Sequence, residues 1–180
     1  FFNLSVPVST MDDTVTAYIR EHQDELEDLA AELIACDSQN PPGVTRSAAT
    51  LLRERMEAVG LTVEEVTYED GKPNLLVTLP GRSDRTLILN GHLDTVPYDV
   101  DRWEHDPLGG WDGDRLYGRG AADMKGAVAA MVFLMEAYAS TDTTPEATIQ
   151  LVLGSDEETG SDVGLKALLE DARIDGDACI

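Results

Sequence analysis

Apolar residues recur at helical spacing in two segments near the N-terminus. This spacing predicts one long helix that begins after the capping candidates Asp12 and Asp13 and ends before the turn-forming residues 40–43. A second amphipathic helix is predicted over about residues 47–59, with Gly60 just beyond its C-terminal end. The apolar positions of the first helix are Val15, Tyr18, Ile19, His22, Leu26, Leu29, Ala30, Leu33 and Ile34.

Short apolar runs between turn-forming residues predict buried strands further along the chain. Residues 126–139 are apolar on nearly every face, which indicates a helix buried between two layers. A last helix is predicted at about residues 162–171, whereas residues 91–120 are rich in Gly, Asp and Trp and predict no regular element. This alternation of helices and strands predicts an α/β fold with helix–sheet–helix layers. The predicted strands lie at residues 61–68, 75–79, 86–90, 147–153 and, at the C-terminus, from residue 177.

The charge of the chain excludes several classes of partner. Of the 180 residues, 13 are Lys or Arg and 35 are Asp or Glu, which gives a formal net charge of −22. Because such a surface repels nucleic acid and anionic lipid, neither is an expected partner. No apolar run approaches the roughly 20 residues of a membrane-spanning helix. A hydrophobic content of 42% is ordinary for a soluble globular protein.

The acidic residues are scattered along the chain, and only three of the basic residues are Lys. This pattern suits a protein dissolved in concentrated salt, where screening shortens the reach of self-repulsion. We hypothesise a salt-adapted, cytoplasmic source; the alternative is that acidic surfaces are simply common. Cys36 and Cys179 are too few for a disulfide framework, which agrees with a reducing compartment.

The residues at the two ends of the sequence lead to separate predictions. Residues 1–10 lack the pattern of a signal peptide. Met11 resembles a natural start, so we expect residues 1–10 to be a non-native or disordered leader. The apolar residues 177–180 resemble the beginning of a strand.

Three motifs lie at predicted strand ends or in loops, where α/β proteins place their sites. The first follows the strand at residues 86–90 and contains His92 and Asp94. In extended backbone both side chains point to one side, and a metal-binding imidazole commonly donates its other N–H to a carboxylate. Alone, a His-X-Asp sequence is a weak signal.

The second motif, residues 116–126, presents Asp123 from a glycine-rich loop before the apolar helix. Asp is also a common N-terminal cap, which is the simpler interpretation for an isolated motif. A phosphate-binding loop does not fit, because Lys125 is not followed by Ser or Thr.

The third motif, residues 154–160, places Glu157 and Glu158 directly after a buried strand. Adjacent glutamates are usually solvated charge, but here one could bind a metal while the other accepts a proton from water. Acidic ligands with His and without Cys favour a hydrolytic over a structural zinc site. The Asp clusters at residues 99–106 and 112–114 do not match a calcium loop, His22 is expected in the core, and His105 has no assigned role.

Taken together, the three motifs, with Trp103 and Asp106-Pro107 between them, resemble the zinc aminoacylase family of metallohydrolases. This family includes acetylornithine deacetylase, succinyl-diaminopimelate desuccinylase, aminoacylase and carboxypeptidase G types. The resemblance covers residues 11–180 and implies the N-terminal part of a phosphorylase/hydrolase-like α/β catalytic domain, without its C-terminal half and its lid or dimerisation domain.

The resemblance also implies roles for individual residues. His92 and Glu158 would each ligate one of two zinc ions, Asp123 would bridge them, Asp94 would orient His92, and Glu157 would be the general base. Cobalt or manganese could replace zinc, because nitrogen and oxygen ligands accept several divalent ions. The substrate would be an N-acyl amino acid or a small peptide, and the complete enzyme would be a homodimer.

The family supplies a further acidic ligand and a His ligand after the Glu-Glu motif, and neither is in this sequence. We therefore expect the 180 residues alone to be inactive or nearly so. Two alternatives stay open. One is a non-catalytic fragment or pseudo-enzyme; the other, a nucleotide-binding α/β domain, is disfavoured by the charge and by the lack of a phosphate-binding loop.

Overall fold

The structure is a computed structural model and describes residues 13–180. Helices make up most of its first third. The predicted long helix is two helices, α1 (Asp13–Glu21) and α2 (Gln23–Ala35), followed by α3 (Arg46–Ala58). The prediction of one continuous helix was wrong at His22, which has non-helical dihedral angles. Its Nδ1 lies 2.9 Å from the Tyr18 carbonyl oxygen and its ring stacks on the Tyr18 ring, so the side chain satisfies the end of α1. The capping candidate Asp12 and the expected leader at residues 1–10 lie outside the described residues.

A five-stranded mixed sheet forms the middle layer, with strand order β1-β2-β6-β3-β7. Strands β3, β6 and β7 are mutually parallel where they pair, whereas β2 is antiparallel to both β1 and β6. Its strands are β1 (Val63–Thr67), β2 (Pro73–Leu79), β3 (Thr86–His92), β6 (Thr148–Gly154) and β7 (Ala178–Cys179).

A short hairpin lies in the segment for which no element was predicted. It pairs β4 (Gly110–Asp112) with β5 (Arg115–Tyr117) in antiparallel register. Strands of three residues are too short for an alternating pattern to stand out in the sequence. The hairpin docks on α2, because both Gly109 and Gly118 lie against the Ile34 side chain.

Helices cover both faces of the sheet, which confirms the predicted helix–sheet–helix class. On one face, α2, α3 and the apolar helix α4 (Gly126–Ser140) pack on alternate strand residues such as Leu75 and Leu151. On the other face, α5 (Leu165–Glu170) packs through Leu168 on a smaller cluster with Leu76, Ile88 and Val152. Within residues 13–180, no helix has the length and apolar character needed to cross a membrane.

Candidate metal centre

The candidate site lies where two parallel strands end side by side. In the register of β3 and β6, His92 pairs with Gly154, and the Leu93 N–H donates to the Gly154 carbonyl oxygen at 2.9 Å. Because the carboxyl ends of parallel strands meet at one edge of a sheet, the residues that follow β3 and β6 are neighbours. A short 3₁₀ turn, Glu157–Thr159, presents the two glutamates there.

Asp94 joins the first and third sequence motifs through its carboxylate. Its Oδ1 accepts from the Glu157 N–H at 3.1 Å, and its Oδ2 accepts from the Glu158 N–H at 3.1 Å. The side chain is fully buried. Buried carboxylates need such partners, so Asp94 fastens the glutamate turn to the end of β3.

Asp94 sets the orientation of the His92 ring through contacts with the ring nitrogen Nδ1. Its Nδ1 lies 2.9 Å from the Asp94 carbonyl oxygen and 3.5 Å from the Asp94 Oδ1. The sequence predicted that the Asp94 carboxylate orients the ring, and the structure adds the main-chain carbonyl of the same residue as the shorter contact. As a result, Nε2 faces Asp123 Oδ1 at 3.2 Å and Glu157 Oε2 at 3.9 Å.

Three of the predicted site residues form a compact group of potential metal ligands, which contains Glu157, predicted as the base, and does not contain Asp123, predicted as the bridging ligand. One ligand atom each from His92, Glu157 and Glu158 lies within 4.8 Å of the other two. An imidazole with carboxylates and no thiolate fits zinc, cobalt or manganese in a hydrolytic site. The donor set present here therefore fits a divalent metal ion.

Asp123 reaches the His92 ring from the segment that follows the hairpin. It lies in the short helical turn Ala121–Lys125, where its backbone is non-helical, and its side chain is 81% exposed. It does not cap the following helix, because Lys125 occupies the N-cap position of α4 and no side chain caps that end. The simpler interpretation of Asp123 as a helix cap therefore does not hold.

Burial and charge perturb the protonation of the site. Burial lowers the pKa of His92, but hydrogen bonds to Asp94 and Asp123 outweigh it and raise that pKa to about 9. Burial raises the pKa of Asp94, yet hydrogen bonds from His92, Asn40 and the two glutamate N–H groups hold it below its usual value. The pKa of Glu158 is raised, first by burial and further by the charges of Asp123 and Glu157. Crowded acids of this kind are typical of a site that receives positive charge.

Sequence reasoning missed the polar residues that support the glutamate turn. Asn40 Nδ2 donates to Asp94 Oδ2 at 2.8 Å, and Lys72 Nζ donates to Asp156 Oδ1 at 3.1 Å. Residues 40–43 signalled only a turn, and Lys72 carried no signal. A single sequence cannot show that either residue approaches residues far along the chain.

The other candidates lie elsewhere in the described structure. The His105 ring stacks on Tyr117 with centroids 3.9 Å apart, and His22 is only half-buried beside Tyr18, so the expectation that His22 lies in the core was wrong. Within residues 13–180, the acidic clusters at 99–106 and 112–114 contribute to no group of potential metal ligands.

Comparison with known proteins finds a matching family and relatives that are enzymes. Residues 88–180 match the family described as Peptidase family M20/M25/M40. The chain is 35% identical over 148 residues to a succinyl-diaminopimelate desuccinylase of Xylella fastidiosa, covering 79% of this chain and 39% of that protein. It is 36% identical over 130 residues to an acetylornithine deacetylase of Aliivibrio fischeri, covering 72% of this chain and 33% of that protein.

Solved structures show the same fold. Human carnosine dipeptidase 1 matches with a TM-score of 0.75 and 27% identity, over 89% of this chain and 38% of that one. A metallo-carboxypeptidase of the M20 family from Sulfolobus solfataricus matches with a TM-score of 0.75 and 26% identity, over 87% and 37% of the two chains. The present chain therefore spans less than two-fifths of the length of these relatives.

Proposed function

Since the chain belongs to peptidase family M20/M25/M40, we propose that it supplies part of the metal centre of a hydrolase acting on the amide bond of N-acyl amino acids or small peptides. One observation carries the proposal: His92, Glu157 and Glu158 converge within 4.8 Å, beside Asp123. The relatives named as a desuccinylase, a deacetylase and peptidases support the substrate class. Residues 11–180 would then be the N-terminal part of the catalytic domain.

His92, Asp123 and Glu158 are the residues that would hold the metal, with Asp123 shared between two zinc ions. The 3.2 Å distance between His92 Nε2 and Asp123 Oδ1, the exposure of Asp123, and the place of Glu158 in the same group of potential ligands as His92 support this assignment. Divalent ions bound here would polarise the amide carbonyl and lower the pKa of a coordinated water. Cobalt or manganese is compatible with the same nitrogen and oxygen donors.

Glu157 is the proposed general base. Its side chain is 56% exposed, so water and substrate can reach it, while its main-chain N–H is held by the buried Asp94. A base fixed at the backbone and free at its carboxylate can accept a proton from water and pass it to the leaving amine. Asp94 is the proposed orienting residue for His92.

The number of metal ligands in this chain supports the proposal that the 180 residues alone have little hydrolase activity. With Asp123 shared, each ion has two protein ligands among the described residues, whereas catalytic zinc sites commonly have three. We therefore propose that the 180 residues alone bind metal weakly and turn over little substrate. The same observation favours the alternative that this chain is a non-catalytic fragment.

The decisive experiment replaces Glu157 by Gln in the full-length gene product, assayed against a panel of N-acyl amino acids. Turnover is expected to fall by about 10²- to 10⁴-fold, because the general base is lost, while metal content stays unchanged. Glu170→Gln, an exposed acid on α5, is the matched control. Full activity of the Glu157→Gln enzyme would exclude Glu157 as the base.

Metal removal tests the centre itself. A chelator should abolish amide hydrolysis by the full-length product, and added zinc should restore it. Isothermal titration of zinc into the 180-residue chain should show weak binding. Tight binding of two zinc ions would contradict the proposal that the 180 residues lack ligands for a complete metal site.

Further properties of the protein are proposed from its charge, its thiols and the family resemblance. The net charge of −22 supports a salt-adapted protein without nucleic-acid or membrane partners. The free thiols of Cys36 and Cys179 support a cytoplasmic location. A homodimeric full-length enzyme follows from the family resemblance, and sedimentation analysis would test it.

A further inference from the structure

Asn40 is a buried amide with three acceptors from two distant segments. It is 4% exposed, and its Nδ2 lies 2.8 Å from Asp94 Oδ2, 3.0 Å from Thr159 Oγ1 and 3.2 Å from Asp156 Oδ1. These partners follow β3 and β6, whereas Asn40 follows α2. One side chain thus joins three parts of the chain at the candidate metal centre.

The direction of these hydrogen bonds is fixed by chemistry. Carboxylates only accept hydrogen bonds, so the amide must turn its NH₂ group, and not its oxygen, toward Asp94 and Asp156. The Thr159 hydroxyl donates to Asp156 at 2.8 Å and can therefore accept from Asn40. Asn40 is an uncharged donor between two buried acids, which limits their mutual repulsion.

The turn that carries Asn40 is built closely around its side chain. The Asn40 N–H donates to the Thr95 carbonyl oxygen at 2.8 Å, which ties the turn to the segment after β3. A Cβ atom at Gly43 would lie 2.7 Å from the Asn40 Cγ, so this position has room only for glycine. Asn40 is therefore held in place by hydrogen bonds of both its main chain and its side chain.

Asp94 carries the effect of Asn40 to the two glutamates. The Asp94 oxygen that accepts from Asn40 also accepts from the Glu158 N–H, and the other oxygen accepts from the Glu157 N–H. Without the Asn40 donor, the Asp94 carboxylate loses the one side-chain amide that bonds to it among residues 13–180. The glutamate turn would then lose part of its attachment to the strand that ends in His92.

We propose that Asn40 is a positioning residue, whose amide locks the Asp94 carboxylate and the 156–159 turn so that Glu157 and Glu158 face His92. The consequence for metal binding rests on the proposed function. Loss of a residue that orients metal ligands typically lowers metal affinity by about 10- to 100-fold.

The first test needs no metal. Hydrogen exchange of the Glu157 and Glu158 amides is compared in the wild-type chain, Asn40→Asp and Asn40→Ala, with chelator present. Asn40→Asp keeps the shape and replaces the donor by an acceptor, so these two amides should exchange about tenfold faster. Unchanged exchange in both variants overturns the inference.

The second test uses Co²⁺ as the probe, with affinity and the visible absorption band as readouts. Asn40→Asp and Asn40→Ala should bind Co²⁺ about 10- to 100-fold more weakly and with an altered band. Asn74→Ala is the matched control, because Asn74 is also a buried amide, and its hydrogen bonds within the described part of the chain all join main-chain groups, those of Val66, Ser155 and Val163. It should lower stability while changing Co²⁺ affinity less than about threefold.

The outcomes separate the two proposals. If neither the wild-type chain nor the full-length gene product binds Co²⁺, the proposed metal centre fails, and the exchange experiment alone decides the role of Asn40. If Asn74→Ala speeds exchange and weakens Co²⁺ binding as much as the Asn40 variants, the effect is one of general stability and the positioning role is refuted.

Discussion

At the scale of single residues, Asp94 connects more of the site than any other side chain described. The sequence places it two residues after His92 and predicts a contact with that ring. The structure adds the Asn40 amide and the N–H groups of Glu157 and Glu158 as partners of the same carboxylate. Asp94 therefore acts on the first and third motifs together, and its burial makes each of these hydrogen bonds costly to lose.

Asp94→Asn is expected to lower the free energy of unfolding by about 1–3 kcal/mol, because the new NH₂ group faces N–H donors and leaves at least one unpaired. Urea denaturation with chelator present measures this without any contribution from metal. The control is Asp162→Asn, an exposed acid bonded to Lys166, which should change the free energy by less than about 0.5 kcal/mol. Equal effects of the two variants would contradict the structural account of Asp94.

At the scale of elements, the contact between the β4–β5 hairpin and α2 depends on close approach. A Cβ atom at Gly118 would lie 2.2 Å from the Ile34 Cγ2, far inside van der Waals contact. The hairpin leads directly to the turn that carries Asp123. The packing of an element that the sequence did not predict therefore helps to place a predicted site residue.

Gly118→Ala is expected to lower the free energy of unfolding by about 1–3 kcal/mol, because Ile34 or the hairpin must move. Gly110→Ala in the same hairpin is the control, since a Cβ there meets nothing within 4 Å. Thermal or urea unfolding of both variants makes the comparison. A Gly118→Ala protein as stable as Gly110→Ala would show that the hairpin is not packed as described.

The contact between α3 and α4 includes a partly buried ion pair, in which Glu136 is buried and Arg55 is partly exposed. Arg55 Nε donates to both carboxylate oxygens of Glu136, at 2.8 and 3.0 Å. Burial raises the pKa of Glu136, and the Arg55 pair, which lowers it, does not fully offset that effect. The folded protein therefore binds a proton at Glu136 more readily than the unfolded chain does.

A raised acid pKa has a defined sign in the stability curve. The contribution of such a group to the free energy of unfolding grows as the pH falls through the pKa of the folded state. The contribution is complete below the pKa of the unfolded state, about 4.3 for Glu. The free energy of unfolding of the wild type, minus that of Glu136→Gln, should therefore rise as the pH is lowered from 7 toward 4.5. Urea titrations of both proteins at several pH values measure this difference. A difference that falls over this range would show that Arg55, rather than burial, dominates.

At the scale of the whole molecule, the net charge of −22 acts on the folded state through self-repulsion. Several ion pairs of the described residues are surface pairs, for example Lys166 with Asp162, which contribute little. Most of the repulsion therefore has to be reduced by dissolved ions. The charge bears on the conditions in which the fold is stable, and not on the fold itself.

Salt is accordingly expected to stabilise the chain. Between 0.1 and 1 M KCl the screening length falls from about 10 to about 3 Å, so the urea midpoint should rise and then level off. Sucrose is the control, because it stabilises by exclusion without screening and should show no such plateau. Equal urea midpoints at low and high KCl would refute salt adaptation.

The sequence by itself determined the layered α/β class, the long helices and strands, and the motifs that contain His92, Asp94, Asp123, Glu157 and Glu158. It could do so because periodic apolar residues and strand-end motifs are local signals. Only the tertiary structure decided the break at His22, the β4–β5 hairpin, and the place of Asn40 and Lys72 beneath the glutamate turn. At His22 the apolar spacing continues through the break, so the pattern alone does not reveal it. The hairpin and the places of Asn40 and Lys72 depend on contacts between residues far apart along the chain, and a local pattern does not record which distant residue supplies the partner.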